Sequence, residues 1–125
     1  MRKHPALQAL PRASRGLRMP SEEDAPFAAF LWEDDGGAEL TATRLRHLAG
    51  VPEGVGVEED SLEGLWRTVP AEDKEQFQRL RQAIGQQLSG VKVFRVGDEP
   101  HKDVYIVGQT HDGKLAGLKT SVVET

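Results

Sequence analysis

The chain has 125 residues, of which 38% are hydrophobic, and this size predicts a single domain over residues 1–125. Its 16 Lys and Arg residues and 20 Asp and Glu residues give a formal net charge of −4, which disfavours direct nucleic-acid binding because phosphate contacts need a basic surface. The lack of cysteine excludes disulfides, thiolate metal sites and thiol nucleophiles. No apolar run approaches the roughly 20 residues that span a bilayer, and no secretory signal is visible, so we expect a cytoplasmic protein without membrane contact.

The charges are distributed unevenly along the chain. Residues 1–20 carry only basic charges, residues 21–35 carry only acidic charges, and residues 36–66 remain acidic. Two interpretations of the acidic middle stay open. It forms a solvated surface that keeps the protein soluble, or it steers a basic partner over a Debye length.

The first third of the chain predicts a helix followed by a strand. Three leucines at helical spacing predict a helix over residues 6–17, which must begin near Pro11 or kink there because proline lacks a backbone donor. The apolar sequence FAAFLW at residues 27–32 predicts a buried strand. The Asp-Asp-Gly-Gly sequence at 34–37 then predicts a turn.

The central part predicts three more helices. The first covers residues 41–49 and ends before Gly50, and a glycine-rich loop follows at 51–57. Asp60 is expected to open the next helix, with Glu63 as its capping-box partner. The longest helix is predicted over residues 71–88, beginning after Pro70. Its inward face is formed by Phe77, Leu80, Ile84 and Leu88.

The last third predicts three strands. They cover residues 91–96, 103–110 and 114–124, with a polar turn at 97–102. The sequence Asp112-Gly113 between the last two strands is typical of a tight hairpin. Helices followed by a strand meander indicate an α+β fold, in which helices cover an antiparallel sheet.

Motifs for catalysis are largely missing from the sequence. It contains no nucleophile elbow, no H-E-x-x-H and no phosphate-binding glycine loop. His101 near Asp103 and His111 beside Asp112 resemble acid–base pairs, but both lie in predicted turns, where polar residues are ordinary. A non-enzymatic role is therefore expected, and a small enzyme or ligand-binding domain is the least favoured alternative.

Three stretches resemble one known family. Residues 21–27 (SEEDAPF) followed by 30–33 (FLWE) resemble the S-E-x-E-x-P-F…F-L-W-E stretch of the cyanobacterial-type nuclease A inhibitor family. Residues 93–97 and 103–108 resemble that family's paired strands, and residues 115–125 (LAGLKTSVVET) resemble its C-terminus. The resemblance is weakest over residues 36–57.

The resemblance implies a proteinaceous inhibitor of a magnesium-dependent, non-specific DNA/RNA nuclease of the ββα-metal type. It also implies an α-β-α sandwich similar to the pathogenesis-related protein 1-like fold. In the family, a C-terminal threonine reaches the nuclease's Mg²⁺ and a glutamate of the S-E motif stands in for the scissile phosphate. These roles correspond to Thr125 and Glu22. Because the Mg²⁺ belongs to the nuclease, the resemblance implies no cofactor of the protein's own. Further nuclease-binding residues expected on this basis are Glu23, Asp24, Glu124 and Trp66.

The chemistry of these residues agrees with such roles. Mg²⁺ prefers oxygen ligands, and Thr125 at the end of a strand offers them. The carboxylate of Glu22 presents two acceptor oxygens and a negative charge to a cleft built for phosphate, yet contains no phosphorus to attack. Trp66 belongs to an apolar helix stripe, so core packing and partner contact both remain open for it.

One departure affects the inhibitory function more than the fold. The family's acidic, tryptophan-bearing loop is reduced here to the short connection at residues 67–70. The main alternative is therefore a protein-interaction domain of the same fold that does not inhibit a nuclease.

Overall fold

The computed structural model describes residues 4–19, 25–32, 40–67, 69–97 and 101–123. The helices in these ranges are α1 (Pro5–Ser14), α2 (Ala42–Leu48), α3 (Leu62–Trp66) and α4 (Lys74–Gln87), with a 3₁₀ turn at Ala71–Asp73 before α4. The strands are β1 (Arg18–Met19), β2 (Ala25–Pro26), β3 (Ala28–Trp32), β4 (Val57–Asp60), β5 (Ser89–Val96), β6 (His101–Gln109) and β7 (Leu115–Val123).

Five of these strands form one antiparallel sheet in the order β3-β7-β6-β5-β4, while β1 and β2 pair separately. The predicted α+β class with an antiparallel sheet is thus confirmed. The expectation of one domain over residues 1–125 stays a prediction.

Helices pack on both faces of the sheet, because alternate residues of each strand point to opposite sides. On one face, Val104 and Ile106 of β6 share a core with residues of α1, α3 and α4. On the other face, Tyr105 and Val107 share a second core with Leu45 of α2. The central strands therefore bury both sides and contribute to two separate cores.

Helix α1 continues through Pro11 instead of beginning there. It starts at Pro5, which suits the first helical turn because proline has no amide to leave unpaired. The side chain of His4 accepts a hydrogen bond from the Ala6 amide and so caps the helix. Near the end of α1, the buried hydroxyl of Ser14 donates to the carbonyl of Leu10 at 2.9 Å.

The long helix is confirmed, with corrected limits. Its predicted apolar face is buried as expected, and the residues concerned are Phe77, Leu80, Ile84 and Leu88. The α-helix begins at Lys74 because a 3₁₀ turn occupies the first three predicted positions. Helix α3 is capped by Ser61 and not, as predicted, by Asp60. The Ser61 hydroxyl accepts a hydrogen bond from the Gly64 amide at 3.0 Å.

The strands also differ in detail from the prediction. The strand at 27–32 is only half-buried, because β3 lies at the edge of the sheet and pairs with β7 alone among the described strands. Strand β4 lies in a stretch predicted as the end of a loop and the start of a helix. His101 is the first residue of β6, where a turn was expected, whereas residues 111–113 do form the predicted turn.

Gly117 permits close contact between the two central strands. It lies opposite Val107 in β6, and a Cβ atom built on Gly117 would overlap the backbone carbonyl oxygen of Ile106. Because backbone atoms of a central strand cannot move aside cheaply, this position excludes a side chain.

We therefore expect Gly117→Ala to lower the free energy of unfolding by about 1–3 kcal/mol or more. Gly85→Ala is the matched control, since a Cβ there meets nothing within 4 Å on an exposed helix position. The control should raise stability by roughly 0.5–1 kcal/mol. Urea unfolding of both variants measures the difference, and equal effects would refute the proposed clash.

Candidate functional site

Most of the site residues expected from the sequence lie outside the described residues. These are Glu22, Glu23, Asp24, Glu124 and Thr125, whereas Trp66 is described. The described residues next to them nevertheless show which part of the fold the two segments adjoin.

The acidic segment is flanked by a short antiparallel pair. Met19 of β1 pairs with Ala25 of β2, and Met19 is buried. Thr120 of β7 joins this pair to the main sheet: its buried hydroxyl oxygen lies 2.9 Å from the carbonyl oxygen of Pro26 and 3.3 Å from that of Ala25. The two strands that flank residues 20–24 therefore lie beside Thr120 of β7.

The last residue of β7, Val123, lies at the end of the sheet toward which the chain before β3 also extends. Strand β7 pairs antiparallel with β3 from Leu115 opposite Trp32 to Lys119 opposite Ala28. The residues just before Ala28 therefore lie toward the same end of the sheet as Val123. Hereafter this end, where β3 and β6 begin and β7 finishes, is called the β7 end of the sheet.

Trp66 is connected to the same region through two other aromatic rings. Its indole N–H donates to the carbonyl oxygen of Phe77 at 3.0 Å, and the two rings meet edge to face with centroids 5.1 Å apart. Phe77 in turn lies 6.1 Å from Phe27, the residue directly after β2. The chain of rings from Trp66 to Phe27 ends beside the hairpin that flanks the acidic segment.

Trp66 packs against the core and also reaches the surface, while its contact with a partner stays a prediction. The side chain is half-buried and packs against the core formed with α4. It also lines a surface cavity of about 360 Å³, which we call the Trp66 groove. The groove is lined by Glu63, Trp66, Arg67, Val69, Lys74, Phe77, Gln78 and Arg81.

The basic side chains of this groove were not among the predicted site residues. Arg67 follows α3, and Lys74, Gln78 and Arg81 stand at the i, i+4 and i+7 positions of α4. That spacing places the three on one helix face and is the signal by which they could have been found. Their meeting with Arg67 depends on how α3 packs on α4, which is not a local property of the sequence.

His111 and Asp112 contact other residues and do not form an acid–base pair with each other. His111 in the turn has its Nε2 atom 2.9 Å from the carbonyl oxygen of Gln86. Asp112 accepts hydrogen bonds from the Thr110 hydroxyl and from His4, whose Nε2 lies 2.8 Å from the carboxylate. Because His4 Nδ1 accepts from the Ala6 amide, Nε2 carries the proton that is donated to Asp112. This contact joins the start of α1 to the β6–β7 turn.

The described ranges contain neither a metal-binding cluster nor a membrane-spanning helix. Within them, no group of three or more His, Asp or Glu side chains is arranged to hold a metal ion. None of the helices in these ranges has both the length and the apolar character required to cross a membrane.

Comparison with known protein families matches residues 4–125 to the family described as nuclease A inhibitor-like protein. The chain belongs to this family. The match includes both segments that leave the β7 end of the sheet, and it extends over residues 36–57, where the resemblance in sequence is weakest. No curated protein matches the chain.

The Asp112 contacts make a prediction about acid stability. Hydrogen bonds from Thr110 and then from His4 lower the pKa of Asp112 from 3.8 to about 2. Since the folded-state pKa is depressed, ionised Asp112 stabilises the fold above about pH 4, and this contribution is lost as the pH falls toward 2.

We expect Asp112→Asn to flatten the dependence of stability on pH between 4 and 2. Urea midpoints at pH 4, 3 and 2 measure it, with Glu53→Gln as a control at an exposed carboxylate in a loop. If Asp112→Asn shows the same slope of stability against pH as wild type and the control, the contacts with Thr110 and His4 do not stabilise the ionised form of Asp112.

Proposed function

We propose that the protein inhibits a magnesium-dependent, non-specific nuclease of the ββα-metal type by inserting Glu22 and Thr125 into its active site. Membership of the nuclease A inhibitor-like family supports a nuclease as the partner. The main structural support is that the hairpin flanking residues 20–24 contacts Thr120 of β7, the strand that leads to residue 125. One cleft can receive two groups only if they leave the inhibitor side by side.

The register of the sheet agrees with this proposal. Ala28 lies opposite Lys119. The hydrogen bond from Thr120 to Pro26 shows that the chain before Ala28 still runs beside β7.

Glu22 would occupy the place of the scissile phosphate. A nuclease cleft provides cationic groups that bind phosphate oxygens, and a carboxylate offers the same charge sign and two acceptor oxygens. No phosphodiester bond is present to be cleaved, so the occupied site is unproductive.

Thr125 would supply oxygen to the magnesium ion of the nuclease. Mg²⁺ binds hard oxygen ligands and commonly retains several waters, so one additional oxygen ligand can replace a water or bind through one. The metal belongs to the partner and is held only in the complex, and the proposal assigns the inhibitor no cofactor of its own.

The remaining residues would assist association. Glu23, Asp24 and Glu124 add negative charge beside the inserted groups, which raises the association rate with a basic cleft more than the final affinity. Trp66 would contact the nuclease next to these segments, because its groove is connected to the flanking hairpin through Phe77 and Phe27.

Three coarser expectations complete the proposal. The role is inhibitory and not enzymatic, and the helices on both faces of the sheet suit a fold that resembles the pathogenesis-related protein 1-like sandwich. A cytoplasmic location stays a prediction.

We expect Glu22→Gln to weaken inhibition by about 30-fold or more, since it removes the charge from a group bound by cations in a desolvated cleft. Inhibition constants are measured against purified ββα-metal nucleases with a fluorescent DNA substrate. Glu59→Gln makes the same chemical change on the far edge strand β4 and should inhibit like wild type. A folded wild-type chain that inhibits none of these nucleases favours the alternative, an interaction domain without inhibitory activity.

We further expect removal of Thr125, or addition of one alanine after it, to weaken inhibition by roughly tenfold or more, because the metal loses a positioned oxygen ligand. Thermal unfolding of both variants should match that of wild type. Undiminished inhibition by both variants would rule out metal coordination by Thr125 while leaving the role of Glu22 intact.

A further inference from the structure

We propose that the Trp66 groove is a second contact surface for the nuclease, one that binds an acidic side chain together with an apolar neighbour from the rim of the cleft. This inference rests on the proposed function and adds the chemistry of a second partner surface to it. It is carried by the position, the charge and the rigidity of the groove.

The groove is linked through Phe77 to the hairpin whose strands flank residues 20–24. Phe77 forms part of its lining and contacts Phe27, which follows the hairpin strand β2. Under the proposed function, a nuclease bound at this hairpin would also place part of its surface over the groove.

The groove carries more positive than negative charge, although the protein as a whole is acidic. Arg67, Lys74 and Arg81 line it, and the one lining carboxylate, Glu63, lies 3.5 Å from Arg81. Arg67 and Lys74 are exposed and make no ion pair with another described residue. The acidic residues of the 3₁₀ turn and of the first turn of α4 do not line the groove.

These two cations determine the sign of the partner surface. A basic nuclease surface over the groove would repel Arg67 and Lys74, and like charges brought together across an interface are strongly unfavourable. An acidic side chain on the rim would pair with them instead. The acidic segment would then face the basic cleft, and the basic groove would face an acidic rim. Because the two contacts have opposite charge, only one orientation of the complex satisfies both.

The apolar part of the groove is already rigid. Val69 and Phe77 are buried, and the Trp66 ring is held by its hydrogen bond to the Phe77 carbonyl. An apolar side chain of the nuclease can pack against these groups without first ordering them, which avoids an entropic cost of binding.

The test is the double charge reversal Arg67→Glu/Lys74→Glu, assayed against a purified ββα-metal nuclease that the wild-type chain inhibits. We expect the inhibition constant to rise by roughly tenfold or more, mainly through slower association, and the difference to shrink at 0.5 M salt. The control Arg44→Glu/Lys114→Glu makes the same change in net charge on α2 and beyond the β6–β7 turn, away from the groove. It should alter the inhibition constant by less than about threefold.

A spectroscopic measurement reports on the groove directly. In a Trp32→Phe background, Trp66 is the one remaining tryptophan of the two in the sequence. Its emission should shift to shorter wavelength when the nuclease binds, because the indole loses contact with water. Thermal unfolding of each variant confirms that it is folded.

The outcomes separate this inference from the proposed function. If wild type inhibits and Glu22→Gln weakens inhibition, but the groove reversal leaves the inhibition constant unchanged or lowers it, the second contact is refuted and the active-site insertion stands. A Trp66 emission that does not change on binding also refutes the second contact. If wild type does not inhibit, both proposals fail together.

Discussion

The position of the candidate site depends on one buried hydroxyl group. Thr120 lies in the interior of β7, and its side chain reaches the carbonyl oxygens of Ala25 and Pro26 in the small hairpin. A buried hydroxyl without a partner costs about 1–3 kcal/mol, so this hydrogen bond both satisfies Thr120 and holds the hairpin against the sheet. Together with the buried side chain of Met19, it keeps strands β1 and β2 beside β7.

The two cores give the central strands the rigidity that such a site needs. Strand β6 is buried on both faces, because α1, α3 and α4 pack on one side and α2 on the other. Gly117 lets β7 approach β6 closely in the same region. Up to Val123, strand β7 thus pairs with a strand that is packed on both faces, which favours precise positioning over adaptability.

Local sequence patterns predicted the elements whose apolar residues are regularly spaced. The apolar face of α4 and the hairpin between β6 and β7 are of this kind, since spacing and turn residues alone determine them. Strand β4 could not be found in this way, because its sequence Val-Glu-Glu-Asp lacks an alternating apolar pattern. It is held by its pairing with β5 and by ion pairs to Lys92 and Arg95, all of which are distant in sequence.

The same distinction applies to the candidate site. The residues expected to enter the nuclease were suggested by contiguous motifs at 21–27 and 115–125, which a single sequence displays directly. The Trp66 groove combines side chains from α3, α4 and the connection between them, so it emerges only when the two helices pack. Trp66 itself could be singled out from sequence, but its basic neighbours could not be assigned to it.

The acidic strand β4 has a consequence for self-association. It forms one outer edge of the sheet among the described strands, and such an edge can recruit a strand from another molecule. Glu58 and Glu59 are both exposed there. Two copies meeting through this edge would bring carboxylates together, so the border discourages the intermolecular strand pairing that leads to fibrils.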